Sequence, residues 1–157
     1  MRFNTSGGYF TALVTKKDTG KKIYGAHLKK NLLTLDGRDL FHSQCYTSTV
    51  NGTRGAGYVA LTTDTTAPAD TQTSLAQELA ANGFSRADAV TKTHTNDTNS
   101  TTIEHTFTAS GTVSLIHKSA TFNNASSITM CHVAAFGTDA SLISGDTLKV
   151  TWTLNLG

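Results

Sequence analysis

The six histidines are the residues of this 157-residue chain best suited to chemistry, because imidazole is the commonest metal ligand and titrates near neutral pH. His94 and His105 flank a predicted β-hairpin, and His117 and His132 fall on other predicted strands. A metal site also needs a further ligand and an outer shell of hydrogen bonds, and the spacing provides neither. The pattern therefore favours structural histidines, and we predict no bound metal or cofactor.

The sequence also lacks catalytic spacing. It contains no G-x-S-x-G, H-E-x-x-H, Walker or G-x-G-x-x-G motif. Asp36 and Asp39 are the closest acidic pair of interest, and at the start of a short helix they would be partners of the helix dipole. A glycan hydrolase would need paired carboxylates that the sequence does not place. We therefore expect a protein without enzymatic activity.

Positive charge is concentrated at the beginning of the chain. Residues 1–54 hold nine Lys/Arg and three Asp, whereas residues 55–157 hold four Lys/Arg and eight Asp/Glu. A charge asymmetry of this kind indicates an interaction surface at the basic end. The residues that we predict to contact a partner are six lysines and two aromatic residues: Lys16, Lys17, Lys21, Lys22, Lys29, Lys30, Tyr9 and Phe10.

Three interpretations of this basic segment differ in the partner. Nucleic acid would use the lysines for phosphate contacts, but Tyr24 is the only aromatic residue among them, so a base-stacking platform is not indicated. A soluble, exposed hairpin needs no partner. Attachment to an acidic protein surface is the functional alternative, in which lysines steer association and apolar residues hold the complex.

The end of the chain indicates the fold class. Its turn, Ser144-Gly145-Asp146, precedes a segment in which apolar and polar residues alternate, which is typical of a strand with one buried face. Trp152 is the only tryptophan and lies at the centre of the apolar row. The alternating apolar residues are Leu148, Val150, Trp152, Leu154 and Leu156.

Short strand-like segments separated by polar turns continue through the chain. Asp18-Thr19-Gly20 predicts the turn of an N-terminal hairpin, and short helices are predicted at about 35–45 and 73–79. We therefore predict a mainly β protein: an antiparallel β-sandwich or jelly-roll-like domain (residues 31–157), with one or two short helices and a basic hairpin arm (residues 1–30). Further strands are predicted at 58–61, 90–95, 103–109, 113–117, 120–122 and 128–135.

Cys45 and Cys131 stand far apart without a C-x-x-C partner, which favours two buried thiols and leaves a disulfide open. No apolar run approaches the roughly 20 residues that cross a bilayer, so we expect no membrane association. The beginning of the sequence has no apolar segment typical of a signal peptide.

Four motifs carry a resemblance to a known family: N-L-L-T-L-D-G-R-D-L (31–40), Y-V-A-L-T-T-D-T-T-A-P-A-D-T-Q-T-S-L (58–75), E-L-A-A-N-G-F-S-R-A-D-A (78–89) and S-G-D-T-L-K-V-T-W-T-L (144–154). Their order and spacing resemble a family of small tailed-bacteriophage virion proteins, over about four fifths of the chain. The sequence departs from that pattern at 62–64, where G-T-G is usual, and at 117–130. The resemblance implies a non-enzymatic component of heads, tails or fibres.

Two functions follow from that resemblance. The first is a capsid decoration, or cement, protein that binds the assembled head, with the major capsid protein or other virion proteins as partners. The alternative is a tail-fibre or baseplate module that binds a host-surface ligand. Either implies a location in the virion after synthesis in the bacterial cytoplasm. Small virion β-proteins of this kind commonly meet around symmetry axes, so we expect a homo-oligomer, with a trimer favoured.

Overall fold

The structure is a computed structural model that describes residues 8–30, 32–34, 37, 56–94, 100–126 and 129–155, with backbone alone at residues 27–30, 33, 94 and 155. The described residues form ten strands: β1 (Tyr9–Thr15), β2 (Lys22–Lys30), β3 (Leu32–Leu33), β4 (Tyr58–Thr62), β5 (Ala87–Asp88), β6 (Thr91–His94), β7 (Ser100–Thr108), β8 (Val113–Phe122), β9 (Met130–Leu142) and β10 (Thr147–Asn155).

The first sheet has the strand order β2-β1-β10-β7-β6, and all neighbouring strands are antiparallel. β10, the strand predicted from its alternation, lies at the centre. Leu148, Val150 and Trp152 are fully buried, whereas Lys149 is exposed. The prediction of one apolar and one polar face is therefore confirmed.

The second sheet has the order β3-β9-β8-β4-β5, and its strands are also antiparallel. Residues of both sheets share one core, in which the Phe10 ring lies 4.8 Å from Trp152 and 5.3 Å from Phe136, measured between ring centroids. Aromatic pairs at this separation add to the free energy of burying their surface. The two packed sheets confirm the prediction of a mainly β sandwich.

A second apolar cluster lies on the outer face of the second sheet. Ala60, Ala120 and Val133 are neighbours across β4, β8 and β9, and they pack with Leu75 and Phe122. Leu75 comes from the segment between β4 and β5, so this segment covers the sheet on the side away from β10. The second sheet is therefore buried on both faces where this segment covers it.

The predicted N-terminal hairpin is present, because β1 and β2 pair around a turn in which Gly20 has φ +63°. β1 is nevertheless an interior strand, paired with β2 on one side and with β10 on the other. Phe10, Ala12 and Val14 belong to the shared core. The predicted arm of residues 1–30 therefore includes a strand of the sandwich, because β1 lies between β2 and β10.

The other predicted strands lie close to their expected positions. The predicted hairpin of 90–95 and 103–109 corresponds to β6 and β7, and the predicted strand at 58–61 corresponds to β4. The segments 113–117 and 120–122 merge into β8, and β9 extends well beyond the predicted 128–135.

The helix predicted at 73–79 is wrong. The segment consists of turns and an isolated bridge between Thr62 and Glu78. The Thr62 hydroxyl donates to the carbonyls of Ala76 and Gln77, and Gln77 has φ +52°, outside the helical range. Tertiary hydrogen bonds to β4 therefore replace the helical ones. The other predicted helix, 35–45, lies outside the described residues except for Gly37.

Cys131 is buried, as predicted, and Cys45 lies outside the described residues. Within the described ranges, no helix has the length and apolar character needed to cross a membrane.

Candidate functional site

The predicted partner-binding residues separate into exposed and structural groups. Lys17, Lys21 and Lys22 are exposed at and beside the hairpin turn, and Tyr9 retains 43% of its accessible surface. The turn itself is closed by backbone hydrogen bonds from the Lys16 amide to the Lys21 carbonyl and from the Gly20 amide to the Lys16 carbonyl. The side chains of Lys29 and Lys30 lie outside the described atoms.

Phe10 is not available to a partner, so its prediction as a contact residue is wrong. Its side chain has no accessible surface and packs on Trp152 and Phe136. The alternation of β1 places Phe10 on the inner face of the first sheet, opposite Trp152 of β10. It is a core residue.

Lys16 also has a structural contact in place of the predicted one. Its Nζ lies 2.6 Å from Asp146 Oδ2 and donates to the Ser141 carbonyl at 2.8 Å. The backbone amides of Lys17 and Ile143 donate to the same carboxylate. This arrangement joins the β1–β2 hairpin to the turn between β9 and β10.

Burial alone would raise the pKa of Asp146, but the hydrogen bonds from Lys16, Lys17 and Ile143 outweigh it and lower the pKa from 3.8 to about 2. The predicted turn Ser144-Gly145-Asp146, before β10, contains the carboxylate of this site. The sequence did not reveal the partner, since 129 residues separate Lys17 from Asp146.

Two further exposed residues lie beside the lysines. Ile23 and Tyr24 of β2 retain 41% and 52% of their accessible surface. β2 is the last strand of its sheet, next to β1. We define the hairpin surface as Lys17, Lys21, Lys22, Ile23 and Tyr24, which combines positive charge with apolar area on both faces of the edge strand β2, since Ile23 and Tyr24 point in opposite directions.

Ion pairs neutralise other lysines but not those of the hairpin surface. Among the described residues, Lys92 pairs with Asp88 and Lys149 pairs with Glu104, at 2.5 Å and 2.9 Å. The ion pairs of the described part of the chain include none with Lys17, Lys21 or Lys22. The hairpin surface therefore keeps its positive charge.

Two of the described histidines have hydrogen-bond partners other than histidine. His117 Nδ1 contacts Asp139 Oδ1 at 2.5 Å, and His105 Nδ1 contacts the Asp88 carbonyl at 2.9 Å. The register places His94 opposite Thr101, so the hairpin does not pair it with His105. In the described residues, no three His, Cys, Asp or Glu side chains are grouped to hold a metal ion. Asp36 and Asp39 lie outside the described residues.

A small polar group lies between the two sheets. Trp152 Nε1 donates to Ser119 Oγ at 3.3 Å, and Ser119 Oγ donates to the Ala60 carbonyl at 3.0 Å. Thr121 Oγ1 lies 2.8 Å from His132 Nδ1, and burial lowers the pKa of His132 from 6.5 to about 4. These contacts satisfy polar atoms inside the sandwich and fix β8 against β9 and β10.

The outer layer of the second sheet is held by charged groups. Lys118 has no accessible surface, and its Nζ lies 2.5 Å from Asp64 Oδ2 and 2.7 Å from the Thr66 carbonyl. The hydrogen bonds from Lys118 and then Thr66 lower the pKa of Asp64 to about 2. Arg86 lies over the Phe122 ring at 3.5 Å and forms two hydrogen bonds to Glu78. These contacts attach the covering segment to the sheet.

Comparisons with known proteins complete this description. No family model, curated protein or solved structure matches the chain.

Proposed function

We propose that this protein is a non-enzymatic structural component of a tailed-phage virion, a capsid decoration protein that binds the assembled head through the hairpin surface. The proposal joins the resemblance of four sequence motifs to one structural observation. That observation is an exposed group of three lysines beside Ile23 and Tyr24, on a hairpin anchored to the domain by Asp146.

The hairpin surface suits attachment to an acidic protein. Exposed lysines contribute under about 1 kcal/mol each in ion pairs, and salt screens them, so their main effect is to steer association. Ile23 and Tyr24 add apolar contact, which is less sensitive to salt. Because the Asp146 contacts order the hairpin beforehand, binding costs less conformational entropy than ordering a free arm.

A cement protein would act through thermodynamic linkage. A protein that binds the assembled shell and not its separate subunits stabilises the shell by mass action. The proposed partner is the major capsid protein, or another virion protein on the head, presenting carboxylates to Lys21 and Lys22. The corresponding location is the virion.

The test uses point substitutions, since deletion of residues 1–30 would remove β1 and β2 from the first sheet. Purified Lys21→Gln/Lys22→Gln protein should bind undecorated particles about tenfold more weakly than wild type at low salt, with a smaller difference at high salt. Ile23→Ser/Tyr24→Ser should weaken binding at both salt concentrations. Co-sedimentation with the particles measures each affinity.

Lys21→Gln and Lys22→Gln are also prepared singly, and Lys92→Gln is their matched control. It changes the net charge by the same amount at β6, at the opposite edge of the same sheet. Its affinity should equal that of wild type. If Lys92→Gln weakens binding as much as Lys21→Gln or Lys22→Gln, net charge and not the hairpin surface determines attachment.

Copy number separates the head from the tail. A decoration protein should be present at on the order of hundreds of copies in each particle, because head symmetry repeats its binding site. A quantitative gel of purified virions measures this ratio against the major capsid protein. A few to tens of copies would contradict the decoration role and favour a tail-fibre or baseplate module.

A further inference from the structure

One row of side chains, at the end of β9 and in the residue that follows it, has no role in the core. Asp139, Ser141 and Ile143 occupy alternate positions, whereas the intervening Ala140 and Leu142 are buried. Alternate residues of an extended chain share a face, so the row points away from the sandwich. It spans roughly 13 Å, at about 3.3 Å per residue.

Leu115 of β8 lies beside the middle of this row. Its backbone amide donates to Ser141 Oγ at 3.3 Å, at a place where the register between β8 and β9 is irregular. Leu115 and Ile143 expose 57% and 51% of their surface. Leu115 of β8 and Ile143, just after β9, therefore add apolar surface to this row beyond Asp139.

The backbone at Leu115 holds its side chain in an unfavourable conformation. Leu115 has φ +60°, in the left-handed region that non-glycine residues rarely adopt. Glycine would adopt this conformation without the steric cost. An exposed leucine at such a position destabilises the separate chain, so its side chain calls for a compensating contact elsewhere.

The two ends of the row carry opposite charges. At one end, Asp139 is oriented by His117, whose Nδ1 lies 2.5 Å from Asp139 Oδ1. At the other end, the Lys17 side chain lies against Gly145, where an added Cβ would come within 2.4 Å of Lys17 Cδ. The backbone amides of Lys17 and Ile143 donate to the Asp146 carboxylate, which fixes this end beside Ile143.

We propose that this row is a twofold self-association surface. In an isologous contact the same patch meets itself in the reverse direction, so each end faces the opposite end of the partner copy. Leu115 and Ile143 of two copies would pack at the centre, and Lys17 of each copy would face Asp139 of the other. The apolar centre and the opposite charges at its ends make the patch complementary to itself. This contact does not depend on attachment to a particle.

Sedimentation of the purified full chain tests the contact without particles. Wild type should form a dimer, and Ile143→Ser and Leu115→Gly should each weaken the dimer by about tenfold or more. Leu115→Gly is the sharper variant, because it removes the side chain while relieving the left-handed backbone. Val90→Ser is the matched control, since Val90 is 76% exposed and lies between β5 and β6.

Circular dichroism should show the same fold for all these proteins. A monomeric or trimeric wild type would overturn the proposal. So would dimers of Leu115→Gly and Ile143→Ser that dissociate at the same concentration as wild type or Val90→Ser.

Charge exchange between two variants tests the twofold geometry itself. Lys17→Glu should have two acidic ends and Asp139→Lys two basic ends, so each protein alone should be monomeric. Mixed in equal amounts, the two should form a heterodimer, because every facing pair of ends is then opposite in charge. Sedimentation of the mixture that shows only monomers, or of either variant alone that shows a wild-type dimer, would overturn the arrangement.

Discussion

The two sheets of this protein have five strands each, but they differ in which faces contact solvent. The first sheet is buried on one face, and its outer face carries threonines and the exposed Lys149–Glu104 pair. The second is covered on part of its outer face as well, because the segment between β4 and β5 places Leu75 on Ala120 and Phe122. The burial patterns reflect this: β10 alternates, whereas four consecutive residues of β4 are buried.

The difference shows what hydrophobic periodicity reports. A period of two appears only where one face of a strand meets solvent, and it disappears where a second layer covers the sheet. The covered face also admits polar residues when they are paired. Lys118 is fully buried there because Asp64 and the Thr66 carbonyl accept its hydrogen bonds.

The largest expected effect is at the centre of the first sheet. Trp152→Ala should lower the free energy of unfolding by about 3–5 kcal/mol, because it leaves a large cavity between the sheets and removes the hydrogen bond to Ser119. Lys149→Ala, on the outer face of the same strand, should change it by less than about 1 kcal/mol. Urea denaturation measures both. Equal effects would mean that β10 does not have one buried and one solvated face.

The pH dependence of stability should distinguish the contribution of His132, between the sheets, from that of the carboxylates in the outer contacts. Burial lowers the pKa of His132 from 6.5 to about 4, so the unfolded chain binds this proton first, and stability should fall as pH decreases from about 6.5 to 4. The loss should reach about 3 kcal/mol. His132→Gln should remove this dependence, as followed by urea denaturation at a series of pH values. An unchanged slope in that variant would assign it to other groups.

A second decline should follow at lower pH. The pKa values of Asp64 and Asp146 are lowered from 3.8 to about 2, so their stabilising contribution is present above 3.8 and is lost as pH falls towards 2. Lys118→Met should reduce this second decline and leave the His132 range unchanged. Loss of the first decline in Lys118→Met would mean that the two layers are not independent.

A smaller effect should distinguish the two outer faces. Ala120→Leu should lower the free energy of unfolding by about 1–3 kcal/mol, because the covering segment leaves no room for three more carbons. Thr106→Leu, on the exposed outer face of the first sheet, should change it by less than about 0.5 kcal/mol. Thermal unfolding of both proteins makes the comparison. Equal tolerance of leucine would show that the second sheet is not covered.

Much of the local structure could be predicted from the sequence because its causes are local. The alternation of β10 follows from side chains that point to opposite faces in turn, and Gly20 supplies the positive φ that the β1–β2 turn requires. The helix at 73–79 was predicted wrongly for the complementary reason. The helix propensity of this segment is local, but the Thr62 hydroxyl, more than ten residues earlier, donates to the carbonyls of Ala76 and Gln77.

The candidate site was only partly predictable. Composition identified the basic hairpin, and Lys17, Lys21 and Lys22 are indeed exposed. Lys16 has the same residue type as its exposed neighbour Lys17, and Phe10 is an aromatic residue beside the exposed Tyr9. The roles of Lys16 and Phe10 come from Asp146 and Trp152, at the other end of the chain.

The sequence by itself determined that this chain forms strands, where most of them lie, and that positive charge gathers near its beginning. Only the tertiary structure decided that β1 is an interior strand beside β10, because strand pairing depends on which faces pack together and not on periodicity. The same packing covered the second sheet and buried Lys118. It also brought the backbone amide of Lys17 to the Asp146 carboxylate and that of Leu115 to Ser141, since these hydrogen bonds join segments that are distant in the sequence.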